Sequence, residues 1–530
     1  MDIDGTLLNS QKEITPEVRK ALAWAKERGV YVVLSTGRIV GEAAEFAREL
    51  PCEDLMVTAG GTAIATASDE RILQSWDMPC EIGAKAVEAV QSRPVRVMIY
   101  VGSKIYINEY SNRDFAANYR VEGFHANKIV VEDIAGEIRK NHLNVTKVYA
   151  LGEREVLEQA LAIPQEVDMG TAGKRLDLRD KLIFTIDGDD AKDFDDAVSL
   201  EKMENGHYLL GVHIADVSHY VTPDSPLDAE AFRRGTSVYF PGHVVPMLPF
   251  ALSNGICSLN PKVDRLAFSA LMEVDKDGRR YGAKFAKSVI CSKARMTYNK
   301  VNKILAGDKG LREEYAFLVE TAETMNNLAH ALYKRRIERG ALELDIPEAE
   351  IRVDENGKPV EIRFRERGES EKLIEEFMLQ ANEAVAEYMC KRELPTVYRV
   401  HENPDPDKLR VFASFARPFG YRIDPSKPED TAQFQVVLRG AKNDPKQRVL
   451  PTLLLRSLAR ARYADECIGH YGLKAKFYLH FTSPIRRYPD LIAHRMLQKA
   501  LTGEEFTAAD ENMCAEAAQQ STSREQAADN

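Results

Sequence analysis

The 530 residues exceed what one hydrophobic core organises, so several domains are expected. With 44% hydrophobic and 29% charged residues the chain has an ordinary globular make-up, which excludes a disordered or low-complexity protein. The net charge of −10 excludes a globally basic nucleic-acid binder, although not a local basic channel.

The cysteines at 52, 80, 257, 291, 390, 467 and 514 are dispersed and contain no Cys-x-x-Cys pair. Such a set fits reduced thiols in a cytoplasm better than a disulfide framework or a zinc site. No signal peptide and no run of about 18 apolar residues is present, so a cytoplasmic protein without membrane contact is expected.

The chain opens like an α/β domain. Thr15 can cap a helix, Pro16 suits its first turn and Gly29 its end, with Val18, Leu22 and Ala25 facing inward. The continuous apolar run Val30–Leu34 predicts a buried parallel strand. Residues 80–150 add apolar alternation around Val95–Tyr106, a helical stretch, and a strand over Val145–Leu151.

Met1-Asp2-Ile3-Asp4-Gly5-Thr6-Leu7-Leu8 and Ser35-Thr36-Gly37-Arg38 resemble the first two motifs of the Cof-type haloacid dehalogenase-like phosphatases. The resemblance implies a nucleophile at Asp2, a general acid/base at Asp4 and a phosphate-holding hydroxyl at Thr36. The first strand of that family would precede Asp2, and its lysine and Gly-Asp-x-x-x-Asp motifs do not follow the cap. Residues 1–152 therefore read as an incomplete Rossmann-like half with a cap and a vestigial site. Gly188-Asp189-Asp190-Ala191-Lys192-Asp193 fits the missing metal motif only formally, because no lysine-bearing unit precedes it at a sensible distance.

Asp187-Gly-Asp-Asp-Ala-Lys-Asp-Phe-Asp-Asp-Ala197 holds six aspartates in eleven residues, opposed only by Lys192. Carboxylates this close repel one another unless a cation or a raised pKa relieves them. Mg²⁺ suits a few carboxylates completed by water and substrate phosphate. The strand-like Leu182–Ile186 before the run and Phe194, Ala197 and Val198 within or after it argue against a solvated acidic loop. The glycine and distal glutamate of an EF-hand loop are misplaced. Extended chain would put Asp193 and Asp195 on one face and Asp196 on the other, so a loop is expected.

From Arg154-Glu155-Val156-Leu157-Glu158 to about residue 525 the sequence resembles the RNase II/RNase R exoribonucleases, closest to the RNase R branch. The resemblance is carried by Thr185–Gly188, Lys192–Ala197, Gly211-Val-His-Ile-Ala-Asp-Val-Ser-His-Tyr220, Pro246–Pro249, Leu252–Pro261 and Phe481-Thr-Ser-Pro-Ile-Arg-Arg-Tyr-Pro-Asp490. It implies a mixed sheet-and-helix catalytic domain over 153–530, α+β beside the α/β first part, with the C-terminal OB-fold absent. It further implies Mg²⁺ held by Asp187, Asp193, Asp195 and Asp196, with Asp195 needed for cleavage, and Arg486 clamping the scissile phosphate. Tyr239 and Tyr298 match tyrosines of the RNA 3′-end pocket, although periodicity alone would equally make them core residues. A glutamate of the helix around Glu375–Ala384, chosen as Glu375 over Glu376, would meet the ribose. Leu344 stands where many relatives have phenylalanine, which implies a looser hold on the last nucleotide. His401 reads as a structural hydrogen-bonding group ahead of a catalytic one.

Basic clusters at Arg233-Arg234, Lys334-Arg335-Arg336 and Arg456–Arg462 are candidates for an RNA channel or for solvated faces. The implied activity is 3′-to-5′ hydrolysis of single-stranded RNA to nucleoside 5′-monophosphates, with no obligate protein partner. The alternatives are a phosphatase acting through Asp2 and Asp4, and an RNA-binding relic with an idle site.

Overall fold

In a computed structural model the chain forms two units, Met1–Glu158 and Gln159–Asn530. The structure describes residues 1–9, 14–91, 96–109, 111–112, 122–151, 159–160, 162–240, 243–343, 349–353, 359–364 and 367–529.

In the first unit Thr15 Oγ1 accepts the Val18 N–H and Pro16 opens the helix Pro16–Glu27. Gly29, at φ 77°, turns the chain where a side chain would be strained. Leu22 packs this helix, together with Val40–Glu49, on a core of Ile3, Leu7, Leu34, Ala44 and Met56. The sheet beneath runs in the order Leu34–Ser35, Leu55–Thr58, Ala63–Thr66, Ile72–Ser75, with only the first pair parallel.

The buried strand expected over Val30–Leu34 shrinks to Leu34–Ser35, and Val30 and Tyr31 are 52% and 83% exposed. Only one face of the run is covered, by way of Val32 and Leu34. A continuous apolar run therefore overstated burial here.

A second sheet, ordered Lys128–Val131, Lys104–Asn108, Arg96–Val101, Lys147–Leu151, carries the helices Cys80–Gln91 and Ile134–Lys140. Ala84, Val87, Ile134 and Ile138 meet Val97 and Ile99 in its core.

The second unit is built on a seven-stranded sheet. Its order is Ala294–Thr297, Phe184–Asp187, Asp196–Lys202, Tyr208–Ala215, Asp264–Val274, Arg280–Cys291, Leu176–Asp177. The two outermost pairings are parallel and the rest antiparallel. Val212, Ile214, Phe268, Ala270 and Val289 are fully buried, so the central strands are covered rather than solvated. A polar ladder crosses these strands: Ser199 Oγ and Ser269 Oγ bond the two ring nitrogens of His213 at 2.9 and 2.7 Å. Burial pushes His213 down to about 3, so the ring is neutral.

Helix Glu369–Cys390 buries Phe377, Ala381 and Ala384 on the face expected from their spacing. Its start needs Gly368, because a Cβ there would stand 2.2 Å from Asn302 Nδ2. Asn302 uses that proximity to accept the Ser370 N–H at 2.9 Å. Helix Tyr488–Thr502 is almost wholly buried through Leu497, and Gly503, at φ 71°, ends it. Among the described residues no helix is long and apolar enough to cross a membrane, and all seven cysteines are free.

Candidate active site

Asp187 ends the strand Phe184–Asp187, and its neighbour in register is Thr297, the residue before Tyr298. The chain then leaves the sheet and re-enters at Asp196, the first residue of Asp196–Lys202. The intervening loop is packed from below rather than solvated. Ser258 Oγ donates to Lys192 O at 2.9 Å and accepts the Phe194 N–H at 3.0 Å. Phe194 is buried under the Arg295 guanidinium, which donates to the Asp189 and Ala191 carbonyls at 2.6 and 3.1 Å.

Asp195 is only 4% exposed. Its Oδ1 accepts the Ile485 N–H at 2.9 Å, and Arg486 Nε lies 3.8 Å from its Oδ2. The turn carrying Arg486 is fixed by Arg487, whose Nε and Nη2 fork onto Asp490 at 2.9 and 2.7 Å. Asp490 also accepts the Ser483 N–H at 2.8 Å. Arg486 itself donates to Ser483 Oγ at 3.2 Å and remains 44% exposed, so it still presents N–H groups to a ligand.

Ser237 N–H donates to Arg486 O at 2.9 Å, which seats the short strand Val238–Phe240 beside this turn. Tyr239 reaches Asp193 Oδ2 with its hydroxyl at 3.2 Å and leaves half of its surface exposed. Burial and the Asp193 charge push its phenol up, so it stays a donor.

The electrostatics are those of crowded acids. Burial, then the charges of Asp196 and Asp193, push the Asp187 carboxyl up to about 8. Burial pushes Asp196 up to about 6, with Arg486 and Arg487 pulling the other way. Burial also raises Asp195 well above the usual carboxylate range against the pull of Arg486 and the Ile485 N–H. Among the described residues Asp187 Oδ2 and Asp196 Oδ2 are buried without a hydrogen-bond partner. Two orphaned carboxylate oxygens in an acid-rich recess fit a hard divalent cation. Among the described residues no three His, Cys, Asp or Glu side chains make a ready cage, so water and substrate would complete the shell.

The structure thus gathers Asp187, Asp193, Asp195, Asp196, Arg486 and Tyr239. Tyr298, half-buried, opens the helix Tyr298–Leu305, and its carbonyl accepts from Ser370 Oγ at 3.1 Å. Glu375 pairs instead with Arg367 at 3.3 Å and lies 3.8 Å from Arg336. Its neighbour Glu376 is the buried one: Oε1 accepts from Arg336 at 2.6 and 2.9 Å, and Oε2 has no hydrogen-bond partner among the described residues. His401 Nδ1 accepts the Gly472 N–H at 3.2 Å, a structural bond. Leu344 lies outside the described residues. Arg233 and Arg234 are paired with Glu230, which accounts for one of the three basic clusters.

Asp2 is exposed and spends Oδ1 on the Ile3 N–H at 2.8 Å, while Thr36 is buried and accepts the Arg38 N–H at 3.3 Å. Asp4 lies in the helical turn Ile3–Leu7, and its side chain is outside the described ones. Among the described residues Asp2 and Thr36 share no hydrogen bond.

Sequence reasoning missed Ser258, Arg295, Ile485, Arg487 and Asp490. All but Arg295 lie in motifs that carry the resemblance, and the Arg487–Asp490 pair also left a local signal, opposite charges three residues apart at a helix start.

Comparison with known proteins agrees with this geometry. The family model of the RNB domain matches residues 175–503, more than half of the chain. A model of haloacid dehalogenase-like hydrolases matches 1–167. Ribonuclease R 1 of Lactococcus lactis is 45% identical over 408 residues, covering 76% of this chain and 49% of the relative. Ribonuclease R of Thermotoga maritima is 51% identical over 346 residues, covering 65% and 48%. The chain therefore spans about half the length of these curated relatives. The structure of Mycoplasma genitalium RNase R in complex with double-stranded RNA superposes with a TM-score of 0.67 at 26% identity, covering 88% of this chain and 87% of that one. The chain belongs to the RNB domain family and carries a haloacid dehalogenase-like region at its start.

Proposed function

We propose that this chain is a cytoplasmic, Mg²⁺-dependent exoribonuclease that hydrolyses single-stranded RNA from its 3′ end to nucleoside 5′-monophosphates. The observation that carries the reading is the juxtaposition of Asp195 with Arg486 beside the orphaned oxygens of Asp187 and Asp196. Asp187, Asp193, Asp195 and Asp196 would hold the cation, which supplies charge neutralisation and an activated water when bound. Arg486 meets the scissile phosphate with a planar fork of donors. Tyr239 offers a ring for the terminal base and keeps Asp193 oriented through its hydroxyl. Buried Phe194 and the Ser258 bonds hold these groups in place before substrate arrives. Directionality and the monophosphate product rest on the resemblance to ribonuclease R.

The test is incubation of 5′-labelled, 3′-tailed RNA with the purified chain and Mg²⁺. Progressive shortening with monophosphate release, abolished by a chelator, is the expected result. Retained full-length RNA in a bound complex would overturn it in favour of a binder without turnover. Phosphate release from small esters alone would favour the phosphatase reading.

A further inference from the structure

The second unit holds a strongly basic groove at the other end of its sheet from the carboxylates. It is a cavity of about 730 Å³ between the turn at Gly278–Gly282 and the helices Ala316–Glu338 and Glu369–Cys390. The register measures its distance from the site: Asp196 is level with Ile214 and Phe268, whereas Lys202 is level with Tyr208, Val274 and Arg280. Six residues of strand separate the two levels, about 20 Å.

The lining inverts the charge of the whole protein. Arg280, Arg335, Arg336, Arg339, Lys391 and Arg392 face it against Glu338, Glu383 and Glu387, an excess of three positive charges in a chain of net charge −10. Some of these cations are spoken for: Arg280 pairs with Glu387 at 2.5 Å and Arg339 with Glu383 at 2.7 Å. Arg392 lies 3.8 Å over the Tyr388 ring and pairs with no carboxylate among the described residues. The Arg335 guanidinium has no hydrogen-bond or ion-pair partner among them either. Tyr281, 53% exposed at the rim, is stacked on His207 and has the Arg279 guanidinium 5.3 Å from its ring centroid.

The groove also leads toward the site. The ion pairs His330–Glu369, Arg336–Glu376 and Arg339–Glu383 advance together, so the two helices run parallel away from Ser370, which touches Tyr298. Arg336 belongs to both places, gripping Glu376 on one side and lining the groove on the other.

We propose that this groove is a distal subsite for single-stranded RNA, holding backbone phosphates several nucleotides from the scissile bond. The inference rests on the exoribonuclease reading for its choice of polyanion. The Arg335 and Arg392 guanidinium groups, with no carboxylate partner among the described residues, meet phosphate oxygens through planar forks of donors. Arg335 and Arg392 are the residues that carry the subsite.

The test is equilibrium binding in chelator of a long oligouridylate and of a tetranucleotide to the full chain and its Arg335→Ala/Arg392→Ala variant. The tetranucleotide binds both proteins equally. The long RNA binds the variant on the order of ten-fold more weakly, and its slope of log affinity against log salt falls by about 1.4, or about 0.7 per lost phosphate contact. Unchanged long-RNA affinity and slope would overturn the subsite. Equal losses on the tetranucleotide would overturn it too, because they locate the effect at the carboxylate end. Since binding is read without turnover, the groove can fail while hydrolysis stands, and the reverse. Should the double variant fold poorly, Arg335→Gln alone, at an exposed and unpaired position, is expected to give half the change in slope.

Discussion

The Ile485 N–H donates to Asp195 Oδ1 at 2.9 Å across 290 positions of sequence. This bond docks the Thr482–Asp490 turn onto the acidic loop and sets Arg486 Nε 3.8 Å from the other oxygen of the same carboxylate. One aspartate therefore positions Arg486 as well as belonging to the acidic cluster. A backbone donor cannot be removed by changing the Ile485 side chain, so the junction is sensitive on the aspartate side alone.

Divalent cation is expected to stabilise the protein through Asp187. Burial and like charge make its carboxylate a liability in the metal-free fold, since it is pushed up to about 8. Asp187→Asn should raise the melting temperature without metal and remove the further rise that Mg²⁺ gives the parent. Thermal melts with and without Mg²⁺ check both signs.

A buried ion triad sets the acid stability of the second unit. Asp216 meets Arg175 Nη1 at 2.7 Å and Lys287 Nζ at 2.5 Å. Burial alone would raise its carboxyl, but Lys287 and Arg175 outweigh that and hold it well below the usual range. A depressed folded-state pKa gives stabilisation that is fully present above the unfolded value of 3.8 and is lost as pH falls below it. Asp216→Asn strands two half-buried cations and is expected to cost roughly 3 kcal/mol at neutral pH. Urea unfolding against pH should also show the variant with a flatter loss of stability below about pH 4.

Tyr239 contributes a ring and a hydroxyl that two variants separate. Tyr239→Ala should weaken RNA binding by about 1–3 kcal/mol, the loss of one stacked base. Tyr239→Phe keeps the ring and loses only the 3.2 Å bond to Asp193, so it should bind RNA normally and hydrolyse it more slowly. Parallel binding and rate measurements distinguish the two losses.

Gly211 is required by the polar ladder of the central sheet. A Cβ there would stand 2.3 Å from Ser199 Oγ and 2.7 Å from His213 Nε2. Gly211→Ala is expected to destabilise the protein by about 1–3 kcal/mol, as overpacking of a filled core does. Adding Ser199→Ala should recover part of that loss in chemical denaturation.

The acidic loop was legible because its carboxylates sit at spacings no single strand face can satisfy: residues 191–195 are irregular and Asp196 starts a strand. The inward face of helix Glu369–Cys390 was legible from Phe377, Ala381 and Ala384, whose spacing follows the helical period. Val30–Leu34 misled because β-branched residues suit a strand whether one face or two are covered. Arg233 and Arg234 looked like free charge although Glu230, three and four residues earlier, already stood at ion-pairing distance on a helix. The Ile485–Asp195 bond and the grip of Ser258 on the loop left no local trace, since each depends on how distant turns meet.

The most direct measurement is the single-turnover release of the 3′-terminal nucleotide in Mg²⁺ by the parent and by Asp195→Asn, with RNA affinity recorded for both. The predicted result is a rate at least about 100-fold lower in the variant, with affinity retained. Equal rates in the two proteins would contradict the assignment of this carboxylate cluster as the hydrolytic centre.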